Sequence, residues 1–157
     1  MRLAGIDCGS ISTGYGFIEE RENSLILIDY GTIRLSSSNR FAERVGMIFD
    51  KLNLLFKQFE PKILGVEDIF VSKNPRSALK LGQIRGAVIS SAHYNNIKVK
   101  EFSPTLIKSS LTGNGRAEKE QVAFMVSKIL GLSSPPKSLD ASDALAIAIT
   151  TALRRNF

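Results

Sequence analysis

Cysteine and histidine are nearly absent from these 157 residues, which contain one of each, Cys8 and His93. A lone cysteine cannot close an internal disulfide, and one cysteine with one histidine cannot complete a zinc site or a haem attachment motif. A disulfide scaffold and a zinc finger are therefore excluded. Long apolar runs are absent as well. None approaches the roughly 20 residues of a membrane-spanning helix, and Met1 to Asp7 meets charge too early for a secretory signal. The expectation is a soluble, cytoplasmic protein with no membrane partner. With 43% hydrophobic and 23% charged residues the composition is ordinary, and one globular domain over residues 1–157 is the simplest organisation. A chain of this size buries roughly 70% of the surface its unfolded form exposes, so its core needs no covalent or metal staple.

The net charge of +6 is unevenly spread. Between Val71 and Lys119 nine basic residues (Lys73, Arg76, Lys80, Arg85, Lys98, Lys100, Lys108, Arg116, Lys119) face two acidic ones (Glu101, Glu118), a local charge of +7. Such a stretch is either a solvated surface or the footprint of a polyanionic partner. On the second reading Lys73, Arg76, Lys108, Arg116 and Lys119 are candidate nucleic-acid contacts.

Apolar patterning divides the chain into short strands and helices. Arg2 to Asp7, Gly14 to Glu20 and Leu25 to Arg34 read as three strands with short links, an antiparallel meander. From Asn39 to Phe59 the residues Phe41, Val45, Ile48, Leu52, Leu55 and Phe59 recur at helical spacing, and Pro61 follows. Ile63 to Glu67 is a short strand ending on an acid. Asn74 and Pro75 then open a helix to about Tyr94, with His93 on a solvent face. Lys98 to Phe102 is a fifth strand. Helices follow from Ser103-Pro104 to Gly113, from about Glu118 to Leu130, and from Asp140 to Leu153. The order βββαβαβααα predicts an α/β fold: a five-stranded mixed sheet, its first three strands antiparallel, with helices packed on it.

Four acids occupy the ends of these elements. Asp7 ends the first strand, Glu67 ends the fourth, and Asp140 and Asp143 lie three apart on one face at the start of the last helix. Strand ends in a helix-covered sheet are where ligands bind. Four carboxylates gathered there repel one another unless a cation neutralises them, and hard divalent ions such as Mg²⁺ take oxygen ligands of this kind. Two ions about 4 Å apart can activate a water and stabilise a leaving oxygen in phosphodiester cleavage. Each piece has a plainer reading: Asp140 and Asp143 as a helix-capping pair, Asp7 and Glu67 as surface acids beyond a strand. The glycines of Gly5-Ile6-Asp7-Cys8-Gly9-Ser10 with Gly14 and Gly16 either open the backbone to metal or phosphate or merely permit a tight turn. Phe70, just past Glu67, either stacks on an unpaired base or folds back onto the core.

Together these residues resemble the RuvC-type Holliday junction resolvases. The match runs from Leu3 to about Thr150 through Gly5-Ile6-Asp7, Thr13-Gly14-Tyr15-Gly16, Val66-Glu67 with Phe70 and Lys73-Asn74. It continues through Ser77 to Gln83, Arg85-Gly86, Ala117-Glu118-Lys119, and Asp140-Ala141-Ser142-Asp143-Ala144-Leu145. The resemblance implies a ribonuclease H-like fold with helices on both faces of the sheet. It also implies a homodimeric, Mg²⁺-dependent endonuclease that nicks two strands of like polarity in a four-way DNA junction, in homologous recombination and DNA repair. Asp7, Glu67, Asp140 and Asp143 are then catalytic metal ligands, for two ions per site with Mn²⁺ as a substitute. Phe70 is a ring that stacks at the junction, Lys108 and Lys119 are DNA-facing cations, and RuvA and RuvB are partners. The chain departs at Cys8, where the family usually has Pro, and at Thr150-Thr151, where relatives often have His. Neither change is expected to abolish metal binding, though the second removes any His-assisted role.

The first motif also resembles the phosphate loop of actin-like sugar kinases, but those enclose a nucleotide between two such domains. A ribonuclease H-like enzyme acting on structured RNA and a non-catalytic junction-binding protein are the remaining alternatives. The binder has no use for four mutually repelling carboxylates.

Overall fold

The computed structural model describes residues 1–22, 24–68 and 74–154. Its elements are β1 (Arg2–Asp7), β2 (Ser12–Arg21), β3 (Ser24–Arg34), α1 (Phe41–Phe59), β4 (Ile63–Glu67), α2 (Pro75–Tyr94), β5 (Lys98–Phe102), α3 (Pro104–Thr112), α4 (Lys119–Ile129) and α5 (Leu139–Leu153). The order matches the expectation, and β1, β4 and β5 match it residue for residue. The main shift is in β2, which starts at Ser12 rather than Gly14 because its ladder with β3 extends to Ser12 opposite Arg34.

The strands form one sheet in the order β3-β2-β1-β4-β5. β1, β2 and β3 pair antiparallel, whereas β4 runs parallel to β1 and β5 parallel to β4. The parallel strands β1 and β4 lie side by side with Ile6 opposite Val66, so their C-terminal acids, Asp7 and Glu67, are neighbours. Side chains alternate across the pleat. Ala4, Ile6, Leu64 and Val66 enter a core under α1 and α2; Leu3, Ile18 and Phe102 enter a second core under α3, α4 and α5. Helices thus cover both faces. Gly5 and Gly65 lie on the α5 face, so Asp7 and Glu67, two residues further along each strand, point to that face too.

α5 is apolar almost all round, and every residue from Ala144 to Ala152 is buried. A helix of that kind belongs between layers. It presses so closely on the sheet that a Cβ on Gly5 would stand 2.2 Å from the Ala144 carbonyl oxygen, and one on Gly14 1.9 Å from that of Asp140. These two glycines therefore neither make a turn nor admit phosphate; they admit the backbone of α5. Among the described residues no helix is long and apolar enough to cross a membrane.

Candidate active site

The seating of α5 on Gly14 and Gly5 brings its first turn over the C-terminal ends of β1 and β4. Ile147 and Thr151 lie over Gly65. One turn earlier on the same face of the helix comes Asp143, over Glu67. Asp140 lies above Gly14, whose register partner on β1 is Asp7. Three elements thus converge four half-buried carboxylates. Neither Asp140 nor Asp143 caps α5, whose N-cap is Ser138 with its side chain accepting from the Ala141 N–H, although Asp140 keeps the first-turn place where the helix dipole favours an acid. The surface explanation for Asp7 and Glu67 fails as well: both are the last residues of their strands and half-buried.

The electrostatics follow from this crowding. Burial, then the nearby charges of Asp143, Glu67 and Asp140, push the Asp7 carboxyl up to about 7, against some relief from Lys119. Glu67 is raised chiefly by burial and by Asp143, while Lys119 and Lys108 pull it down. Lys119 Nζ donates to Asp143 Oδ2 at 2.9 Å, and Ser12 Oγ donates to Asp140 Oδ2 at 2.5 Å. Ser12 carries no motif signal in the sequence; only the pairing of β2 beneath α5 places it there. Glu67, Asp143, Lys108 and Lys119 line a cavity of ≈ 120 Å³ walled by Pro104, Ile107, Val122, Ala146 and Ile147.

Of the expected nucleic-acid contacts, Lys108 and Lys119 therefore stand at the carboxylates. Arg116 is exposed on the turn before α4, and Arg76 is exposed in the first turn of α2. Phe70 and Lys73 lie outside the described residues. His93 is exposed near the end of α2, far along the chain from any of the four acids, as expected. Cys8 packs into the core under α1 and α2, facing away from the acids. Burial and the Asp7 charge push its thiol up to about 12, which leaves it an inert filler. Thr151 is fully buried and donates to the Ile147 carbonyl two helical turns from Asp143, so its departure from the family pattern belongs to core packing.

Among the described residues no three carboxylate, thiol or imidazole groups converge closely enough to grip a metal ion as they stand. Lys119 and Ser12 occupy one oxygen each of Asp143 and Asp140. The donor set nonetheless fits a hard divalent cation, because it is all oxygen and because the raised Asp7 and Glu67 register a repulsion that a cation relieves.

Known proteins match this chain over nearly its whole length. Residues 3–151 match the family model of the crossover junction endodeoxyribonuclease RuvC. The crossover junction endodeoxyribonuclease RuvC of Pelodictyon phaeoclathratiforme is 43% identical over 154 residues, covering 98% of this chain and 81% of the relative. That of Solidesulfovibrio magneticus is 45% identical over 147 residues, covering 94% and 86%. The structure of Thermus thermophilus RuvC in complex with a Holliday junction substrate superposes with a TM-score of 0.92 at 35% identity, covering 97% of this chain and 93% of that one. The mixed sheet with helices on both faces is the ribonuclease H-like architecture shared with those structures. A family model matched over residues 3–151 and relatives more than 40% identical over nearly the full length make this chain a member of the crossover junction endodeoxyribonuclease RuvC family.

Proposed function

We propose that the chain, as a single domain over residues 1–157, resolves four-way DNA junctions by metal-dependent phosphodiester hydrolysis. Asp7, Glu67, Asp140 and Asp143 would be the ligands. The observation that carries this reading is that the charges of Asp143, Glu67 and Asp140 all bear on Asp7, raised to about 7, while Lys108 and Lys119 share a cavity with Glu67 and Asp143. Divalent ions, Mg²⁺ by preference and two per site, would there supply a nucleophilic water and stabilise the leaving oxygen, with Mn²⁺ able to replace them. The chain's own part is to bind and orient. Lys108 and Lys119 draw backbone phosphate toward the acids, Arg76 and Arg116 extend the basic surface that holds the arms, and Lys73 is a further DNA-binding cation on this reading. Phe70, three residues after Glu67 in sequence, stacks at the opened junction centre on this reading. Without a cation Asp7 keeps its proton to about neutral pH.

One chain supplies one cluster, whereas resolution takes two symmetric cuts, so the working form is a twofold dimer. Support comes from α2. Its inner face buries Ile84, Val88 and Ala92, while Leu79, Gly82, Gly86 and Ser90 form an outer face that is exposed. A Cβ at Gly82 or Gly86 would meet nothing within 4 Å, so no described helix of the same chain covers that face, against the alternative that these glycines serve internal packing. RuvA and RuvB are the partners this reading implies, in the cytoplasm. The test is to incubate purified protein with a labelled four-way junction, a linear duplex and a structured RNA, each with and without Mg²⁺. Paired nicks confined to the junction and dependent on Mg²⁺ are expected. Cleavage of RNA alone, or junction binding without cleavage, would overturn the reading in favour of the RNA nuclease or the binder.

A further inference from the structure

In the sequence Arg85 is one of nine basic residues and part of the Arg85-Gly86 match to the family, with no role attached; in the structure it is tied to three groups, Glu67, Glu101 and Asp68. It lies on α2, and its side chain is 16% exposed. Its Nε donates to the backbone carbonyl of Glu67 at 3.2 Å. Its Nη2 pairs with the carboxylate of Glu101 on β5 and lies 3.7 Å from Asp68 Oδ1. Glu101 points to the α2 face of the sheet and Glu67 to the α5 face, so Arg85 reaches the catalytic strand from behind. It touches none of the other three acids.

We infer that Arg85 is a positioning residue that sets the place of the Glu67 carboxylate by fixing that residue's own carbonyl. The inference rests on the proposed role of Glu67 as a metal ligand. Glu67 is the last residue of β4, and the parallel ladder to β5 ends there, opposite Phe102. Just beyond it the Asp68 N–H donates to the Phe102 carbonyl and continues the line of the strand. A strand end turns about its final peptide, and a small rotation there swings the carboxylate by more than the tolerance of a metal site. The guanidinium prevents this rotation because its planar fork is pinned at two points, Nε on the Glu67 carbonyl and Nη2 on Glu101. A lysine keeps the charge and the Glu101 pair but lacks the second, fixed donor. Arg85 also ties β4 to α2, the helix whose outer face is offered above as the dimer contact, so the site's geometry is set by the element on which assembly depends.

The experiment compares Arg85→Lys and Arg85→Met with Asn53→Ala. Asn53 on α1 accepts hydrogen bonds from Ser91 and Asn95, so its loss loosens α2 without touching β4. Mn²⁺ binding to the DNA-free protein, kcat on the junction, junction Kd and Tm are measured for each. Arg85→Met is expected to bind Mn²⁺ about tenfold more weakly and to lose about tenfold in kcat, Arg85→Lys to recover part of each loss, and both to keep junction Kd within about twofold of wild type. Asn53→Ala should lower Tm and leave kcat and Mn²⁺ affinity unchanged. Arg85 variants that lose Tm alone, or that lose activity only through weaker junction binding, overturn the inference. Should neither Arg85 variant fold, Glu101→Gln decides: reduced kcat at unchanged Kd supports the inference and wild-type kcat overturns it. Glu67→Gln run in parallel separates the two ideas, because an active Glu67→Gln defeats the metal-site reading itself, whereas an inactive one beside wild-type-like Arg85 variants defeats only this inference.

Discussion

The ammonium of Lys119 stands 2.9 Å from Oδ2 of Asp143, at the first residue of α4. That is the end of a helix where the backbone dipole disfavours a cation. Asp143 offsets the repulsion, and the side chain remains 61% exposed, free to meet phosphate. Lys119→Ala and Lys108→Ala should weaken junction binding and flatten its dependence on salt by about one unit of log–log slope per lost phosphate contact. Because Lys119 lowers Asp7 and Glu67, its removal should also move the acid limb of the pH–rate profile to higher pH. An unchanged slope in both variants would take these lysines off the DNA surface.

Asp7→Asn, Glu67→Gln, Asp140→Asn and Asp143→Asn should each remove most cleavage, at least a hundredfold by the measure of a lost metal ligand, while junction affinity persists. Affinity comes from cations meeting phosphates, which these changes do not remove. Gel-shift and nicking assays on the same preparations check both halves. Near wild-type cutting by any two of the four would show the metal site to be wrongly drawn.

The raised Asp7 makes a stability prediction with a definite sign. Its carboxyl titrates near 3.8 in the unfolded chain and about 7 in the folded, metal-free protein, so the folded state holds the extra proton between those values. Stability in EDTA should therefore fall as pH rises from about 4 to 7 and level off above, with Glu67 adding to the fall. Asp7→Asn, which carries no titrating charge, should melt higher than wild type at pH 8 and show a shallower dependence. Added Mg²⁺ should restore the wild type and not the variant. Thermal melts at pH 5 and pH 8 test this; a wild type that gains stability over that range would contradict it.

Gly86→Leu tests assembly. Among the described residues no other element comes within 4 Å of a Cβ at that position, so leucine fits the monomer and obstructs a second chain. The variant should sediment as monomer with an unchanged Tm for the folded unit and replace paired nicks by isolated ones. A dimer that still cuts in pairs would place the interface elsewhere.

Much of this was legible in the sequence because the patterns are local. β4 and β5 are bounded by Pro61 and Ser103-Pro104, and the caps Asn74, Ser103 and Gly113 mark helix ends at their own positions. The four acids stood out as candidates by position, Asp7 and Glu67 at the ends of strands and Asp140 and Asp143 in the opening turns of the last helix. Two things were not legible. Gly5 and Gly14 read as a loop's freedom, whereas the contact they permit is with Ala144 and Asp140, more than 120 residues away in sequence. Arg85 and Ser12 meet Glu67 and Asp140 through a backbone carbonyl and a hydroxyl, contacts that depend on tertiary placement, so that even the Arg85-Gly86 match gave no hint of what Arg85 touches.

The most direct test of the account is to locate the ion. Crystals grown with Mn²⁺ and measured at the manganese absorption edge should give anomalous density among Asp7, Glu67, Asp140 and Asp143, with Lys119 drawn off Asp143, and the same crystals of Asp7→Asn should lose it. Manganese bound elsewhere on the chain, or absent from these four side chains at saturating concentration, would contradict the claim that they form the metal site.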